Sequence, residues 1–185
     1  MEFTLYYRGD LKANRGSKEK QELRRSFHAQ LKNLWDQRPL KERQGLLDKQ
    51  PTNGDIGVIQ TIKGFHFAPL VTERLNLIAE LRITLLRPEP PGSIITQAGD
   101  IDNRLKTLFD ALKVPTEPTA IPSGDAPREG EDPFYCLLED DNLITKVQVE
   151  TDRLLVECKS PSEVVLLIHV TTKATRLSWA NMGLG

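Results

Sequence analysis

The chain has 185 residues, 38% of them hydrophobic and 28% charged, with a formal net charge of -1 and a pI near 6.3. That length suits one domain with room for a long insertion, burying about two-thirds of its unfolded surface without a disulfide framework. Apolar runs such as Val164 to Val170 are too short for a span of about 20 residues, and Cys136 and Cys158 lack CxxC spacing, so a membrane protein and a cysteine zinc site are excluded and packed thiols in a soluble, cytoplasmic protein are expected.

Phe3 to Tyr7 reads as a first strand, because aromatic and β-branched residues suit a pleated surface, and Arg8-Gly9-Asp10 ends it. After a loop through Asn14-Arg15-Gly16, Ser17 opens a long helix whose apolar stripe is Leu23, Phe27, Leu31 and Leu34. Lys18, Lys20, Arg24, Arg25 and Lys32 lie mostly off that stripe. They form either an ordinary solvated face or a phosphate-tracking surface. Residues 1–50 carry twelve Lys/Arg against seven Asp/Glu, whereas 111–185 carry seven against twelve, so any basic surface is N-terminal. Asn14, Arg15, Lys18, Arg24 and Arg25 are the candidate DNA-binding residues.

Residues 36–57, rich in Pro, Gly and Asn, read as a short helical piece within a loop. Two strands follow, Gly64 to Val71 and Leu75 to Leu86, the second apolar enough to be central in a sheet. Pro88 to Gly92 stops it. A helix then starts near Asp102 and is expected to bury Leu105, Leu108, Phe109 and Leu112 at i, i+3, i+4, i+7. Asp102, Lys106 and Asp110, each four residues apart, fall on an adjoining face that borders the core.

Residues 113–135 hold five prolines, two glycines and five acids, so an exposed loop outside the core fold is expected. Two strands close the chain, Leu143 to Glu150 with period-two alternation and Val164 to Thr171 as an apolar run.

The chemistry-bearing residues concentrate around the second helix. Asp100 and Asp102, at alternate positions where the chain enters it, can present two carboxylates from one short segment, and Glu139-Asp140-Asp141 returns a further cluster at a strand entry. Hard cations such as Mg²⁺ take oxygen ligands of this kind, and two of them about 4 Å apart can supply what phosphodiester hydrolysis requires. Lys106, one turn beyond Asp102, is placed to steer a phosphate or stabilise a leaving group. Read individually, the same residues are also a helix cap, an i, i+4 surface pair and a solvated acidic turn. His28, His66 and His169 are scattered, and there is no GxSxG, P-loop or Rossmann fingerprint, so no nucleotide cofactor is indicated.

The pattern Asp-x-Asp-Asn-x-x-Lys-x-x-x-Asp-Ala-Leu at Asp100 to Leu112, followed by Asp140-Asp141 before an alternating strand, resembles the RusA-type Holliday junction resolvases. The resemblance implies an α+β fold with a mixed β-sheet flanked by helices, a homodimer, and a Mg²⁺-dependent site, with Mn²⁺ as a substitute, acting on branched DNA. It implies that Asp100, Asp102 and Asp141 are metal ligands, that Lys106 is the catalytic lysine, and that Asn103, Asp110 and Asp140 support them. The expected reaction is in-line attack of water on a phosphodiester, leaving a 5′-phosphate and a 3′-hydroxyl. One domain over 1–185 is expected, with 113–135 as a Pro-rich acidic insertion longer than that family's link. The alternative reading is a non-cleaving DNA-binding or protein-recruiting module on the same scaffold.

Overall fold

Two crossings of the chain, rather than any single sheet, organise this molecule. The computed structural model describes residues 1–12, 16–52, 54–88 and 101–185. In chain order the strands and α-helices are β1 (Glu2–Asp10), α1 (Ser17–Trp35), β2 (Gln60–Ile62), β3 (Phe65–Val71), β4 (Leu77–Arg87), α2 (Ile101–Leu112), β5 (Phe134–Leu138), β6 (Ile144–Arg153) and β7 (Glu163–Ala174). They build an α+β protein with two mixed sheets, one in the order β1-β7-β4-β6 and one in the order β2-β3-β5. No helix among the described residues is long and apolar enough to cross a membrane.

The expected single mixed sheet is therefore two, and short turns are the reason. Between β3 and β4 the chain makes one 3₁₀ turn, Glu73–Leu75, and leaves it through Asn76 at φ 51°, a left-handed conformation that asparagine tolerates. Between β5 and β6 it makes another, Asp141–Leu143. Each turn bends the strand direction out of its sheet. Because β3 pairs parallel with β5 and β4 pairs parallel with β6, the bends lie side by side, and two strands pass together from one sheet to the other.

The element boundaries follow local chemistry. The alternating burial of β4 matches its apolar inner residues Leu77, Ala79, Leu81, Ile83 and Leu85, and places it centrally between β7 and β6. Strand β5 was not anticipated, because all five of its residues are buried and show no alternation. Strand β2 has three residues, too few for a pattern. In α1 the N-cap is Gly16, with Ser17 already inside the helix.

Three other expectations are corrected. Helix α2 buries Arg104, Thr107, Leu108, Ala111 and Leu112, while Leu105 and Phe109 are only half-buried. The buried face is rotated because α2 packs against both α1 and β5 rather than against one apolar surface. Residues 113–135 are not an exposed loop outside the fold: Val114, Ile121 and Phe134 join Phe65, Phe67 and Cys136 in a second apolar core. Finally, Arg24 and Arg25 do not lie on a solvated face, since they are only 2% and 9% exposed. The 113–135 segment and the end of α2 cover them.

His28 of α1 is buried against the same segment, accepting the Tyr135 N–H on Nδ1 at 2.9 Å and bonding the Gly130 backbone. Burial pushes its imidazole below the ordinary value, since the charged form loses hydration. A depressed basic group contributes stability present above its unfolded value of about 6.5, lost as pH falls through the folded value. Chemical denaturation should therefore show stability declining as pH falls below neutrality. The non-titrating His28→Gln variant, which keeps an acceptor, should lose that component of the slope.

Candidate functional site

The two halves of the acidic motif meet one helix from different directions. Asp102 lies in the first turn of α2, exposed, with Oδ1 accepting the Asn103 N–H at 2.8 Å. Lys106 is exposed one turn further on, and among the described residues its ammonium makes no ion pair. Asn103 is half-buried, and its carbonyl accepts the Thr107 hydroxyl at 3.1 Å. Asp110, in the last turn, pairs with Lys20 of α1 at 2.6 Å. Asp100, Asn14 and Arg15 lie outside the described residues.

At the other end of α2, Lys113 extends to the turn between the sheets. Its Nζ donates to Asp141 Oδ1 at 2.9 Å and lies 3.7 Å from Asp140 Oδ2. The connection is also a main-chain one: Lys113 bridges Leu138, and the Val114 N–H donates to the Leu138 carbonyl. Asp140 caps the 3₁₀ turn by accepting the Asn142 N–H at 3.0 Å. Glu139 turns the opposite way, accepting from Gln60 Nε2, the Thr72 hydroxyl and the Glu73 N–H. It fastens the two bends together.

The mutual repulsion expected of three adjacent acids is thus relieved within the protein, by one lysine and several N–H and O–H donors. No cation is required for that relief. Desolvation works to raise the Asp141 carboxyl, but the hydrogen bond and charge of Lys113 outweigh it and hold the group below the ordinary carboxylate range. Lys113 is likewise penalised by burial, yet Asp141 and Asp140 raise it overall. Asp141 contributes stability present above its unfolded value of about 3.9 and lost as pH falls through its lower folded value. In a Lys113→Met variant the Asp141 titration midpoint, followed by carboxyl ¹³C chemical shift, should move upward. An unmoved midpoint would remove Lys113 as the cause.

The arrangement gathers Asp110, Lys113, Asp140 and Asp141 near the C-terminal end of α2 and leaves Asp102 and Lys106 in its N-terminal half. Among the described residues no three His, Cys, Asp or Glu side chains form a group that could hold a metal ion. Carboxylates such as those of Asp102 and Asp141 are nonetheless the oxygen ligands that a hard divalent cation takes.

Beside this end of the helix is a cavity of about 330 Å³, bordered by Lys20, Arg24, Asp110, Lys113, Thr116 and Glu117, among others. Arg24 donates to the Asp110 and Lys113 carbonyls and to Gln21, so it closes the end of α2. Arg25 binds Glu131 at 2.8 Å, Asp125 at 2.9 Å and Glu22 at 3.2 Å. Both guanidiniums are consumed by the fold. Of the described candidates for contact with DNA, Lys18 alone remains exposed. Lys113 was not anticipated; its position three residues after Asp110 was the available signal, because only the fold brings it to Asp141.

No protein-family model, curated protein or solved structure matches this chain.

Proposed function

We propose that this protein is a Mg²⁺-dependent, structure-selective DNA endonuclease of the RusA type, acting on four-way junctions in the cytoplasm as a homodimer. The observation that carries the reading is the tie between the two motif halves. Lys113, one residue past α2, holds Asp141 across 28 positions of sequence, so the Asp141 turn is anchored to the C-terminal end of the helix whose first turn carries Asp102. A pair of unrelated acidic turns has no need of that link.

In this reading Asp100, Asp102 and Asp141 are the carboxylates that would hold the cation, Asp102 from the first turn of α2 and Asp141 from the turn fastened beyond its last residue. Mg²⁺ bound by these carboxylates supplies charge neutralisation on the phosphate and a more acidic water. The remaining tasks fall to the protein. Lys106, exposed one turn beyond Asp102 and in no ion pair among the described residues, contacts the scissile phosphate or the leaving oxygen. Lys113 keeps Asp141 ionised and oriented, and Asp110, Asn103 and Asp140 hold the local backbone. Lys18 supplies phosphate contact, whereas Arg24 and Arg25 do not.

A labelled four-way junction and a matching linear duplex, each incubated with protein and Mg²⁺ beside an EDTA control, test the proposal. Symmetric, metal-dependent cuts restricted to the junction are expected. One observation favours the second reading, a non-cleaving scaffold: Glu139, Asp140 and Asp141 all have protein donors. Tight junction binding with no cuts in Mg²⁺ or Mn²⁺ would establish that module instead.

A further inference from the structure

We propose that β6 is the contact edge between two copies of this chain, pairing antiparallel with the same strand of a second molecule and joining two four-stranded sheets into one of eight. Strand β6 ends the order β1-β7-β4-β6, and along its ten residues only β4 pairs with it among the described residues. A long free edge presents a row of unpaired N–H and C=O groups, a template for another strand. On its inner face Val147 lies opposite the buried Leu81 yet is itself 43% exposed.

The side chains indicate the occupant. Lys146, Glu150, Asp152 and Arg153 lie along this one strand, and none is in an ion pair among the described residues. Charged side chains commonly protect an edge by repelling neighbours, but here the order of signs attracts a second copy. A two-fold axis through Gln148 sets Lys146 opposite Glu150 of the second molecule, Val147 opposite its Val149, and Thr145 opposite its Thr151, each pair occurring twice. Moving the axis two residues to Glu150 places two carboxylates face to face and sets Val147 against Arg153. With the axis at Val149, Lys146 would again meet an acid, Asp152, but Val147 would face Thr151 and Gln148 would face Glu150, so the Gln148 axis is the one that pairs both valines with valines; pairings slipped by an odd number of residues turn the side chains to the wrong face. The strand thus carries its own complement, which an unrelated peptide would have to match by accident.

The inference rests on the sheet and not on the nuclease reading, although a junction enzyme making paired nicks would use such a dimer. Self-association and cleavage are measured separately, so either can fail alone. Sedimentation velocity on the full chain over micromolar concentrations should show a dimer. Lys146→Glu should weaken it roughly tenfold or more, because two attractive pairs become two repulsive ones, and Glu150→Lys should do the same. The combined exchange should restore the original affinity. In a Cys158→Ser background, Gln148→Cys should cross-link across the axis on mild oxidation while Lys146→Cys should not. Circular dichroism verifies that these surface variants remain folded. A monomer at every concentration, a dimer indifferent to both reversals, or an exchange that fails to restore association would overturn the proposal.

Discussion

Replacing Asp102 by Asn is expected to abolish junction cleavage, lowering the rate by at least about a thousandfold, while leaving junction affinity and thermal stability near their original values. Losing several kcal/mol of charge stabilisation in the transition state corresponds to that factor. The fold should not respond, because Asp102 is exposed and, among the described residues, it accepts the N–H of its neighbour Asn103, a bond that an amide oxygen can also make. Asp141→Asn should also lose cleavage but with a stability cost, since it removes the carboxylate that Lys113 faces. Single-turnover cleavage, junction gel shift and thermal melting separate the cases. Full activity in Asp102→Asn would remove the residue from the mechanism.

The largest expected effect on stability comes from Arg25→Ala. The Arg25 and Glu131 side chains are each 8% exposed, and Glu131 also accepts the Arg128 N–H. Deleting the guanidinium leaves a buried carboxylate whose charge has lost its partner, and breaking such a pair from one side costs about 3 kcal/mol or more. For a chain of this size that lowers the melting temperature by about 10 °C. Limited proteolysis should begin within 113–133, because Asp125 and Glu131 lose their anchor on α1 together. Arg25→Met with Glu131→Leu should recover much of the loss, as an apolar pair of similar volume avoids the unpaired charge. An unchanged melting temperature in Arg25→Ala would show that the clamp is dispensable.

The clamp also bears on the charge asymmetry. The N-terminal excess of Lys and Arg suggested a basic surface, but Arg24 and Arg25 face inward, where the acidic 113–135 segment and carbonyls at the end of α2 receive them. Arg8, Arg25 and Lys49 of the basic half are ion-paired with Glu163, with Asp125 and Glu131, and with Asp132 of the acidic half. A surface available to a nucleic acid is smaller than the count implied.

Residues with short-range constraints were legible from sequence alone. The spacing of Leu23, Phe27 and Leu31 defined α1, the apolar content of β4 marked a central strand and that of β7 a strand, because helix and strand periods are properties of the chain itself. The Asp102–Lys106–Asp110 face was legible for the same reason, and all three lie at the margin of the core, exposed or half-buried. Tertiary structure alone decided the rest. It split the sheet at Thr72–Asn76 and Asp140–Leu143, where short turns and the Glu139 bonds fix a bend that no periodicity encodes. It made 113–135 part of a core, because three widely spaced apolar residues meet phenylalanines from β3. It also turned Arg24 and Arg25 into structural groups and gave Asp141 its lysine. Each of those outcomes depends on partners distant in sequence, and a charge or a proline reads the same locally whether it ends in water or against a carboxylate.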